Sequence, residues 1–287
     1  MPDARRIAFI TYAELPDGAE SDRTIFPFLQ AAGLQPVPVI WNDPSVDWTS
    51  FEAVVFRSCW DYHLNSAQFS ALLDELESRK VRTFNPVSTV RWNMNKFYLQ
   101  AMAQRGVPVI PSVWLTPDSH ESLGAVMDAQ GWDEVVVKPV ISAAAHLTER
   151  VTRAQADSTQ AHLAGALASG GAIVQRFMPQ ITDEGEWSAI YIGGAYSHSL
   201  IKRPKDGDFR VQTGAWLPAE PPTMLLESAR ALLDTLAEMP LYARVDGVLH
   251  NGQFLLMELE LIEPYLALEQ VDGAGQRFAR ALLARLA

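Results

Sequence analysis

Cysteine is almost absent from this chain. Cys59 is the single cysteine among 287 residues, so an internal disulfide and a zinc site built from several cysteines are both excluded. A reactive thiol needs an accessible, electropositive environment, whereas Cys59 stands next to Trp60. The pattern therefore favours a buried, structural thiol over a nucleophile.

Long apolar runs are absent as well. No stretch approaches the roughly 20 apolar residues that span a bilayer, so a membrane partner is not expected. Residues 1–12 lead quickly into a short strand and carry no cleavage-site pattern of a secretory signal. We therefore expect a cytoplasmic protein.

Positive charge is the third shortage. Lys and Arg number 23 against 34 Asp and Glu, a net charge of −11, which disfavours binding to nucleic acid. The chain is otherwise 48% hydrophobic and 20% charged, as in ordinary globular proteins. Its length predicts two or three lobes with a sizeable core.

The clearest local pattern lies in residues 242–264, which read Y-A-R-V-D-G-V-L-H-N-G-Q-F-L-L-M-E-L-E-L-I-E-P. Two apolar runs rich in β-forming residues flank the His-Asn-Gly sequence at 250–252. Asn-Gly between such runs is the strongest short-range hairpin signal. The sequence therefore predicts a β-hairpin here.

The register of this hairpin decides which side chains share a face, because a slip of one residue moves every side chain to the other face. A two-residue Asn-Gly loop would pair Asp246 with Met257 and mix acids with aliphatics on both faces. We therefore predict a three-residue loop, 250–252, with Gly252 in the left-handed conformation. One face then carries Val245, Leu249, Leu255, Met257, Leu259 and Leu261, and the other carries Arg244, Asp246, Glu258 and Glu260, with Val248, Phe254 and Leu256 nearer the turn.

Three acids of the second face, Asp246, Glu258 and Glu260, require a cation between them, since crowded carboxylates repel and raise one another's pKa. Mg²⁺ held by carboxylates and by the phosphates of a nucleotide is the natural candidate. The alternative is a solvated sheet face that binds nothing. The arginine, the three acids and the nearly apolar opposite face weaken this alternative, and the other motifs of the chain are needed to distinguish the two.

The N-terminal part of the chain alternates strands with helices. Residues 6–12, 35–41 and 53–58 are predicted strands, and 21–32 and 66–79 are predicted helices. This order predicts a small parallel α/β lobe, in which ligands lie beyond the carboxyl ends of the strands.

Two loops, 14–22 and 57–63, follow strands of this lobe at that edge. The second loop is dense in groups that can hold a small polar molecule. The candidate substrate residues are Arg57, Ser58, Asp61, Tyr62 and His63, with help from Arg244 and Glu14. The alternative is a packed aromatic turn in which Asp61 caps and Trp60 fills the lobe.

A lysine follows three valines in the predicted strand 132–139. Lys138 either reaches the surface along its aliphatic stem or binds a phosphate as a point charge. The small residues at 140–148 predict a mobile loop after it. Upstream, residues 93–105 predict one helix with Lys96 near its start.

Several short motifs occur in an order that resembles the ATP-grasp superfamily. They are Asn95-Lys96, V-V-V-K-P with Lys138, Q-R-F-M at 175–178, Arg203 followed by D-F-R-V-Q at 208–212, R-V-D at 244–246 and M-E-L-E at 257–260. The set is most similar to the glutathione synthetase and ribosomal-protein glutamate ligase branch. Within that branch, R-S-C-W-D-Y, K-P-V-I-S-A, Y-A-R-V-D and E-L-E-L-I-E-P resemble the ligases that close the ring of D-cycloserine.

The resemblance implies an ATP site. Lys96 and Lys138 would hold the α and β phosphates, with the backbone around Ser142 nearby. The adenine would be read by the segment Gln175, Arg176, Phe177 and Met178, and the ribose by Asp183, Glu184 or Glu186.

The resemblance also implies the groups that act on the phosphates. Asp246, Glu258 and Glu260 would hold two Mg²⁺ ions, for which Mn²⁺ is an alternative. Arg203 and Arg210 would act in catalysis by steadying the γ-phosphate and an acyl phosphate. Such metals and cationic side chains suit phosphoryl transfer, which needs positioning and charge neutralisation more than a nucleophilic side chain.

Three positions depart from the usual pattern of that branch. The glycine-rich loop after the second lysine reads S-A-A-A at 142–145, the third metal position is Glu260 instead of Asn, and Gly-Asp-x-Arg reads G-E-W-S at 185–188. The last change removes an arginine expected near the substrate. The substrate is therefore the least defined part of the resemblance.

The implied fold is α/β (α+β), an ATP-grasp fold in three parts. These are a Rossmann-like parallel lobe at 1–90, a small lid subdomain at 91–176, and an antiparallel-sheet subdomain at 177–287 that carries the metal site. The oligomeric state is open, and a homo-oligomer is one option.

The implied activity is ATP-dependent C–N bond formation on a small amino-acid-like substrate through an acyl phosphate. Ring closure of an O-ureido-serine-like substrate is one form of it. The alternatives are a ligase that joins two amino acids, a small-molecule kinase at the same MgATP site, and a nucleotide-responsive binding protein without turnover.

Overall fold

The first lobe is built on a four-stranded parallel sheet. The structure, a computed structural model, describes residues 5–287. The strands are β1 (Arg5–Thr11), β2 (Leu34–Ile40), β3 (Ala53–Phe56) and β4 (Thr83–Phe84), in the order β2-β1-β3-β4. Most of β1 and all of β3 are buried, as expected of a sheet covered on both faces. The predicted parallel α/β lobe is confirmed.

Three helices accompany this sheet: α1 (Glu20–Arg23), α2 (Phe26–Ala31) and α3 (Ser66–Ser78). The single helix predicted at 21–32 is divided at Thr24 and Ile25. Pro27 explains the division, because proline lacks an N–H and fits only the first turn of a helix. In α3 the apolar stripe formed by Phe69, Leu72, Leu73 and Leu76 is buried.

A second, antiparallel sheet belongs to the middle of the chain. Its strands are β5 (Ser112–Leu115), β6 (Glu134–Pro139), β7 (Glu149–Thr152) and β8 (Ala172–Arg176), in the order β5-β8-β6-β7. The helices of this part are α4 (Val87–Met94), α5 (Tyr98–Gln104), α6 (Leu123–Gln130) and α7 (Gln160–Ala168). Residues of α6, α7 and the sheet form a separate apolar cluster.

The continuous helix predicted at 93–105 is wrong, because α4 ends at Met94 and α5 begins at Tyr98. Asn95 takes an extended conformation with φ −105° and ψ 115°, and its side chain accepts a hydrogen bond from the backbone N–H of Phe97 at 3.0 Å. Such local bonds let Asn compete with helix formation. Lys96 consequently lies in the break between two helices.

The C-terminal part carries a five-stranded antiparallel sheet. Its strands are β9 (Glu186–Ile192), β10 (Ala195–Arg203), β11 (Ala215–Pro218), β12 (Tyr242–His250) and β13 (Gln253–Glu260), in the order β11-β10-β9-β12-β13. The helices are α8 (Gln180–Asp183), α9 (Thr223–Leu233) and α10 (Ala274–Leu286). Together the three sheets give the predicted mixed α/β architecture.

The first lobe and the C-terminal sheet share one apolar core, which contains residues of β1, β3, β9 and α10. Tyr242 donates from its hydroxyl to the Phe56 carbonyl and, at 2.8 Å, to the Ile262 carbonyl. The side chain of Asn85 donates to the Tyr242 carbonyl at 3.0 Å and to the Leu261 carbonyl at 2.8 Å. Strands β12 and β13 are thus attached to the first lobe at their outer ends.

The domain boundaries at 90 and 176 stay a prediction. The three sheets occupy residues 5–84, 112–176 and 186–260, while α4 runs through the first of the two boundaries.

Among residues 5–287, none of the helices is long and apolar enough to cross a membrane.

Candidate active site

The β12–β13 hairpin turns through two residues, so the predicted three-residue loop is wrong. His250 pairs with Gln253, and the turn residues Asn251 and Gly252 have φ values of 50° and 74°. Positive φ at both central positions defines the turn that matches the natural twist of the strands, and Asn-Gly favours it strongly. Local turn chemistry decided the loop length.

A β-bulge then brings Asp246, Glu258 and Glu260 back onto one face of the hairpin, the acidic face. The pairing shifts between Asp246 and Gly247, so that Asp246 lies opposite Glu258 and Arg244 opposite Glu260. Met257 is the extra residue, because Gly247 pairs with Leu256. The prediction that these acids and Arg244 share one face is confirmed, although a bulge and not a longer loop produces it.

Nearer the turn, the predicted faces are wrong for four residues. Phe254 and Leu256 belong to the apolar cluster that contains Val245 and Leu259, whereas Leu255 and Met257 pack with Val248 in another cluster. The cause is the extra residue in β13, which exchanges the faces on one side of the bulge.

The acidic face is charge-paired along the sheet. Asp246 contacts Arg244 at 3.0 Å and Lys202 at 3.2 Å, and it accepts a bond from the Ser188 hydroxyl at 2.5 Å. Lys202 also pairs with Glu186, and Arg244 with Glu260. Burial opposes the charge on Asp246, but Arg244 and Lys202 outweigh it and lower its pKa.

The pKa of Glu260 is shifted in the opposite direction from that of Asp246. Burial raises the pKa of Glu260 to about 7, against the opposing charge of Arg244. Asp246 and Glu258 raise it further. The face therefore carries more carboxylates than its own cations neutralise.

Two lysines reach this face from the middle of the chain. Lys96 lies 2.9 Å from Glu258 and donates to the Ser142 carbonyl at 2.5 Å. Burial opposes the charge on Glu258, but Lys96 and Lys138 outweigh it and lower its pKa. The break between α4 and α5 thus places Lys96 over the strand carboxylates.

Lys138 is buried without a carboxylate partner among residues 5–287. Its ammonium group lies 3.4 Å from the side-chain oxygen of Gln175, and burial lowers its pKa. A buried cation with one long hydrogen bond is poorly compensated, so an anion fits beside it. Of the two alternatives, surface snorkelling is excluded because Lys138 is 7% exposed.

These groups line one cavity of about 600 Å³. The middle lobe contributes Val136, Lys138 and the segment from Ser142 to Ala145, and the first lobe contributes Trp60 and Tyr62. The C-terminal part contributes the charged face together with Ile181, Phe209, Val211, Met257, Glu263 and Tyr265. A flat apolar group and a highly charged group can both be accommodated.

The predicted adenine segment lies beside this cavity. Gln175 lines it, and Met178 belongs to the apolar cluster with Ile181, Val211 and Met257. Phe177 is buried, whereas the Arg176 side chain is exposed. Of this segment only Gln175 forms part of the cavity wall, and its contact with a base stays a prediction.

The predicted ribose acids are placed differently from one another. Asp183 and Glu184 are exposed at the end of α8 and are not part of the cavity wall. Glu186 lines the cavity but is paired with Lys202.

The two predicted catalytic arginines also differ. Arg210 lines the cavity and pairs with Asp208 at 3.0 Å, and this bond lowers the pKa of Asp208 to about 2. Arg203 is exposed and donates to the Glu184 carbonyl at 3.1 Å. Only Arg210 is brought to the cavity.

Among the predicted substrate residues, Tyr62 and Arg244 line the cavity. Arg57 is instead buried against Asp22 at 2.8 Å and donates to the Pro264 carbonyl at 2.8 Å. Ser58 bonds to the same aspartate. Arg57 therefore joins the first lobe to the C-terminal part, whereas Ser58 bonds within the first lobe. The structure brings neither of them to the cavity wall.

The remaining predicted substrate residues lie around that loop. Asp61 accepts a bond from the Trp41 indole at 2.6 Å, and Glu14 is exposed away from the cavity wall. The His63 ring lies 5.0 Å from the ring of His146, which belongs to the segment after Lys138. Burial, with the charge of His146, lowers the pKa of His63.

Sequence reasoning missed Lys202, Ser188, Trp216 and Glu263. Lys202 lies directly opposite Glu186 in the β9–β10 hairpin, and its ammonium group lies 4.8 Å from the Trp216 ring centroid. The opposite charges across the strands were a usable signal, but a register shift between Tyr196 and His198 conceals the pairing.

The acids do not converge on a common point as they stand. In the part of the chain that the structure describes, no three acidic, histidine or cysteine side chains form a metal-ligand group. The carboxylates pair instead with Lys96, Lys202 and Arg244. The predicted metal ligands share a face, and their number and charge fit hard cations.

Solved ATP-grasp enzymes share this arrangement of sheets. The crystal structure of D-alanine–D-alanine ligase from Bacillus anthracis complexed with ATP aligns with a TM-score of 0.69, at 16% identity over 97% of this chain and 95% of that one. The ATP-grasp ligase PsnB complexed with minimal precursor, Mg and ADP aligns with a TM-score of 0.67, at 16% identity over 99% and 98% of the two chains. Identity this low shows the fold alone. The chain therefore has the ATP-grasp fold, as the motifs predicted.

Sequence relatives narrow this class. Residues 7–85 match the family described as D-cycloserine synthetase DcsG, N-terminal domain. The chain is 35% identical over 262 residues to the cycloserine biosynthesis protein DcsG of Streptomyces lavendulae, which covers 86% of this chain and 87% of that protein. The crystal structure of D-cycloserine synthetase DcsG aligns with a TM-score of 0.86, at 30% identity over 98% of this chain and 100% of that one. The chain belongs to the DcsG family of ATP-grasp ligases.

Proposed function

We propose that this enzyme uses ATP to activate the carboxylate of a small amino-acid-like substrate and then forms a C–N bond at that carbon. Lys138 carries the proposal, because it is a buried cation beside the acidic face that lacks a carboxylate partner within residues 5–287. A nucleotide phosphate would compensate its charge. Membership of the DcsG family suggests a place in cycloserine biosynthesis, with an O-ureido-serine-like substrate that closes to a ring.

The nucleotide would extend from the apolar part of the cavity to the charged part. Ile181, Val211 and Met257 offer an apolar surface to adenine, next to the backbone of 175–178. Lys96 and Lys138 would hold the phosphates. Asp183, Glu184 and Glu186 stay the candidates for the ribose: Glu186 lines the cavity but is engaged by Lys202, and the other two are free of that pair but lie outside the cavity wall.

Asp246, Glu258 and Glu260 would hold Mg²⁺ in the proposed complex, and Mn²⁺ would suit the same oxygen ligands. Asp246 lies opposite Glu258 on the face that Glu260 shares, and this crowding of three carboxylates favours a site for added positive charge. Bound ions would neutralise the phosphates and the developing charge during transfer. We propose two ions, as in the family pattern.

The reaction would proceed in two balanced steps. A carboxylate oxygen of the substrate attacks the γ-phosphorus of ATP, and the bond to the β-phosphate oxygen breaks as ADP leaves. A nitrogen then attacks the carboxyl carbon, the C–O bond to phosphate breaks, and the nitrogen releases its proton. Arg210, which lines the cavity, would steady the transferred phosphoryl group.

The test is phosphate release by the full chain with MgATP and both enantiomers of O-ureido-serine, together with a panel of amino acids and hydroxamate analogues. Mass spectrometry of the product separates the outcomes. Ring closure or amide formation supports the ligase, whereas a stable phosphorylated product formed without an amine identifies a kinase. ATP binding without ADP formation across the panel would indicate a binding protein and overturn the proposal.

Lys138→Met tests the observation that carries the proposal. We expect MgATP affinity to fall about 10- to 100-fold, the effect of losing one charge-assisted bond, with no loss of thermal stability. Lys80→Met is the matched control, because Lys80 is exposed and distant from the cavity wall. Equal ATP affinity for both variants would contradict the assignment.

A further inference from the structure

One carboxylate of the cavity wall differs from the rest. Within residues 5–287, Glu186, Asp246, Glu258 and Glu260 all form ion pairs with lysine or arginine. Glu263 lines the same cavity and takes part in no ion pair of the described chain. The cavity therefore holds one acid that its own cations leave uncompensated.

The position of Glu263 is fixed from the first lobe. Its backbone carbonyl accepts a hydrogen bond from the Trp60 indole at 2.9 Å, and the next carbonyl, of Pro264, accepts from Arg57 at 2.8 Å. Trp60 and Tyr62 line the cavity with it. The backbone at Glu263 is thus held at the junction of the loop 57–63 and the end of β13.

The surroundings of Glu263 disfavour a lone negative charge. Burial raises its pKa to about 8, and the charges of Glu260 and Glu258 raise it further against Lys96. A partly buried carboxylate in this setting gains most from a cation that arrives with a ligand. Aromatic side chains such as Trp60 and Tyr62 also favour a neighbouring cation.

An amino-acid-like substrate has the complementary charges. Its carboxylate needs a cation, which Arg210 supplies in the cavity, and its ammonium group needs an anion. We propose that Glu263 binds the substrate ammonium group, with Trp60 and Tyr62 as the adjacent wall. Glu263 would then be a specificity-determining residue that selects substrates carrying a free amine, an inference that rests on the proposed function.

The test compares two ligands on two proteins. The ligands are O-ureido-serine and the analogue in which hydrogen replaces its amino group, and binding is measured by calorimetry in the presence of a non-hydrolysable ATP analogue and Mg²⁺. The wild-type chain should bind the amine-bearing ligand at least about tenfold more tightly. Glu263→Gln should lose that preference while it keeps its affinity for the ATP analogue.

Comparing the two ligands on the two proteins isolates the contact between Glu263 and the amine. If Glu263 had a purely structural role, the preference for the amine-bearing ligand would stay the same in the variant. Glu263→Asp should retain part of the preference, because it keeps the charge. Asp272→Asn is the matched control, since Asp272 follows in the same segment but is exposed and outside the cavity wall. It should bind both ligands as the wild type does.

Three results decide the inference. An equal preference for the amine in wild type and Glu263→Gln would overturn it, even if phosphate release shows the chain to be a ligase. A changed Mg²⁺ requirement with an unchanged preference would also overturn it and make Glu263 a metal ligand. A Glu263-dependent preference without any turnover would uphold it while the proposed ligase reaction fails.

Discussion

Arg57 shows how burial, more than residue type, decides the role of a side chain. Its motif, R-S-C-W-D-Y-H, is rich in groups that bind ligands, and Arg57 was predicted to contact substrate. In the structure it is 2% exposed, pairs with Asp22 and lies 4.9 Å over the Tyr242 ring. A guanidinium with these partners supports the junction between two lobes.

Replacing this arginine tests the structural role. Arg57→Met should lower the free energy of unfolding by about 3–5 kcal/mol, because it leaves the Asp22 carboxylate buried without its partner. Arg79→Met is the control: the Arg79–Glu75 pair is exposed and is worth about 0–1 kcal/mol. Urea denaturation measures both. A raised KM for the proposed amino-acid-like substrate with unchanged stability would favour the predicted substrate contact instead.

Glu263 should make stability depend on pH. In the unfolded chain its pKa has the ordinary value of 4.5, and in the folded protein it is about 8. The folded state therefore binds more protons between these values, so stability should fall as pH rises from about 5 to about 8.

The measurement is urea denaturation at pH 5, 6, 7 and 8, for wild type and Glu263→Gln. The wild type should lose a few kcal/mol more than the variant across this range, since one pKa unit corresponds to about 1.4 kcal/mol. Parallel curves for the two proteins would mean that Glu263 ionises normally in the folded state.

At the scale of single elements, the β12–β13 hairpin combines a turn set by local sequence with a bulge set by close packing. The Asn-Gly turn follows from positive φ at both residues. The bulge depends on Gly247, where an added Cβ would lie 2.2 Å from the Leu255 carbonyl oxygen and 2.6 Å from the Phe254 ring. Only glycine permits that approach.

Gly247→Ala should therefore damage both stability and function. We expect a loss of about 1–3 kcal/mol from overpacking, together with a large loss of ATP-dependent turnover as Asp246 and Glu258 move out of register. Gly252→Asn is the matched control in the same hairpin, since Asn accepts the left-handed conformation and nothing lies within 4 Å of its Cβ position. Similar stability for the two variants would argue against a bulge that requires glycine.

The same hairpin shows what the sequence can and cannot predict. Alternation of acids and aliphatics placed Glu258 and Glu260 on one face, and this holds because side chains alternate regularly along a strand. Asp246 shares that face only because the bulge compensates for the wrong loop length. The loop length and the faces of Leu255 and Leu256 were wrong, since a bulge leaves no clear trace in a hydrophobic pattern. Lys202 was missed for a related reason, because its partner Glu186 lies on another strand across an irregular register.

At the scale of the whole molecule, the three sheets are joined unequally. The first lobe and the C-terminal sheet share a core, whereas the middle sheet has its own apolar cluster with α6 and α7. The segment 142–148 extends from the middle lobe over the cavity, and Ala144, Ala145 and Leu147 have φ values of 50°, 56° and 51°. Positive φ is uncommon at non-glycine residues, so this segment has an unusual backbone conformation.

Nucleotide binding should order this segment. Ser142, Ala143, Ala144, Ala145 and Thr148 line the cavity, so a bound phosphate would add partners for their backbone N–H groups. We expect amide hydrogen exchange in 142–148 to slow with a non-hydrolysable ATP analogue and Mg²⁺, while exchange in α3 stays constant. Unchanged exchange in the segment, measured with saturating ligand, would place the phosphates elsewhere.

The attachment of Asn85 to β12 and β13 has a consequence for building hybrids of related enzymes. Its side chain accepts from the Leu241 N–H at 2.6 Å and donates to two carbonyls at the outer ends of those strands, while Arg57 reaches Pro264. A hybrid that exchanged residues 5–85 alone would separate these contacts from the strands that carry the acidic face. Substrate preference should therefore transfer between relatives only when residues 5–85 and 241–268 are exchanged together, although these two segments are far apart in the sequence.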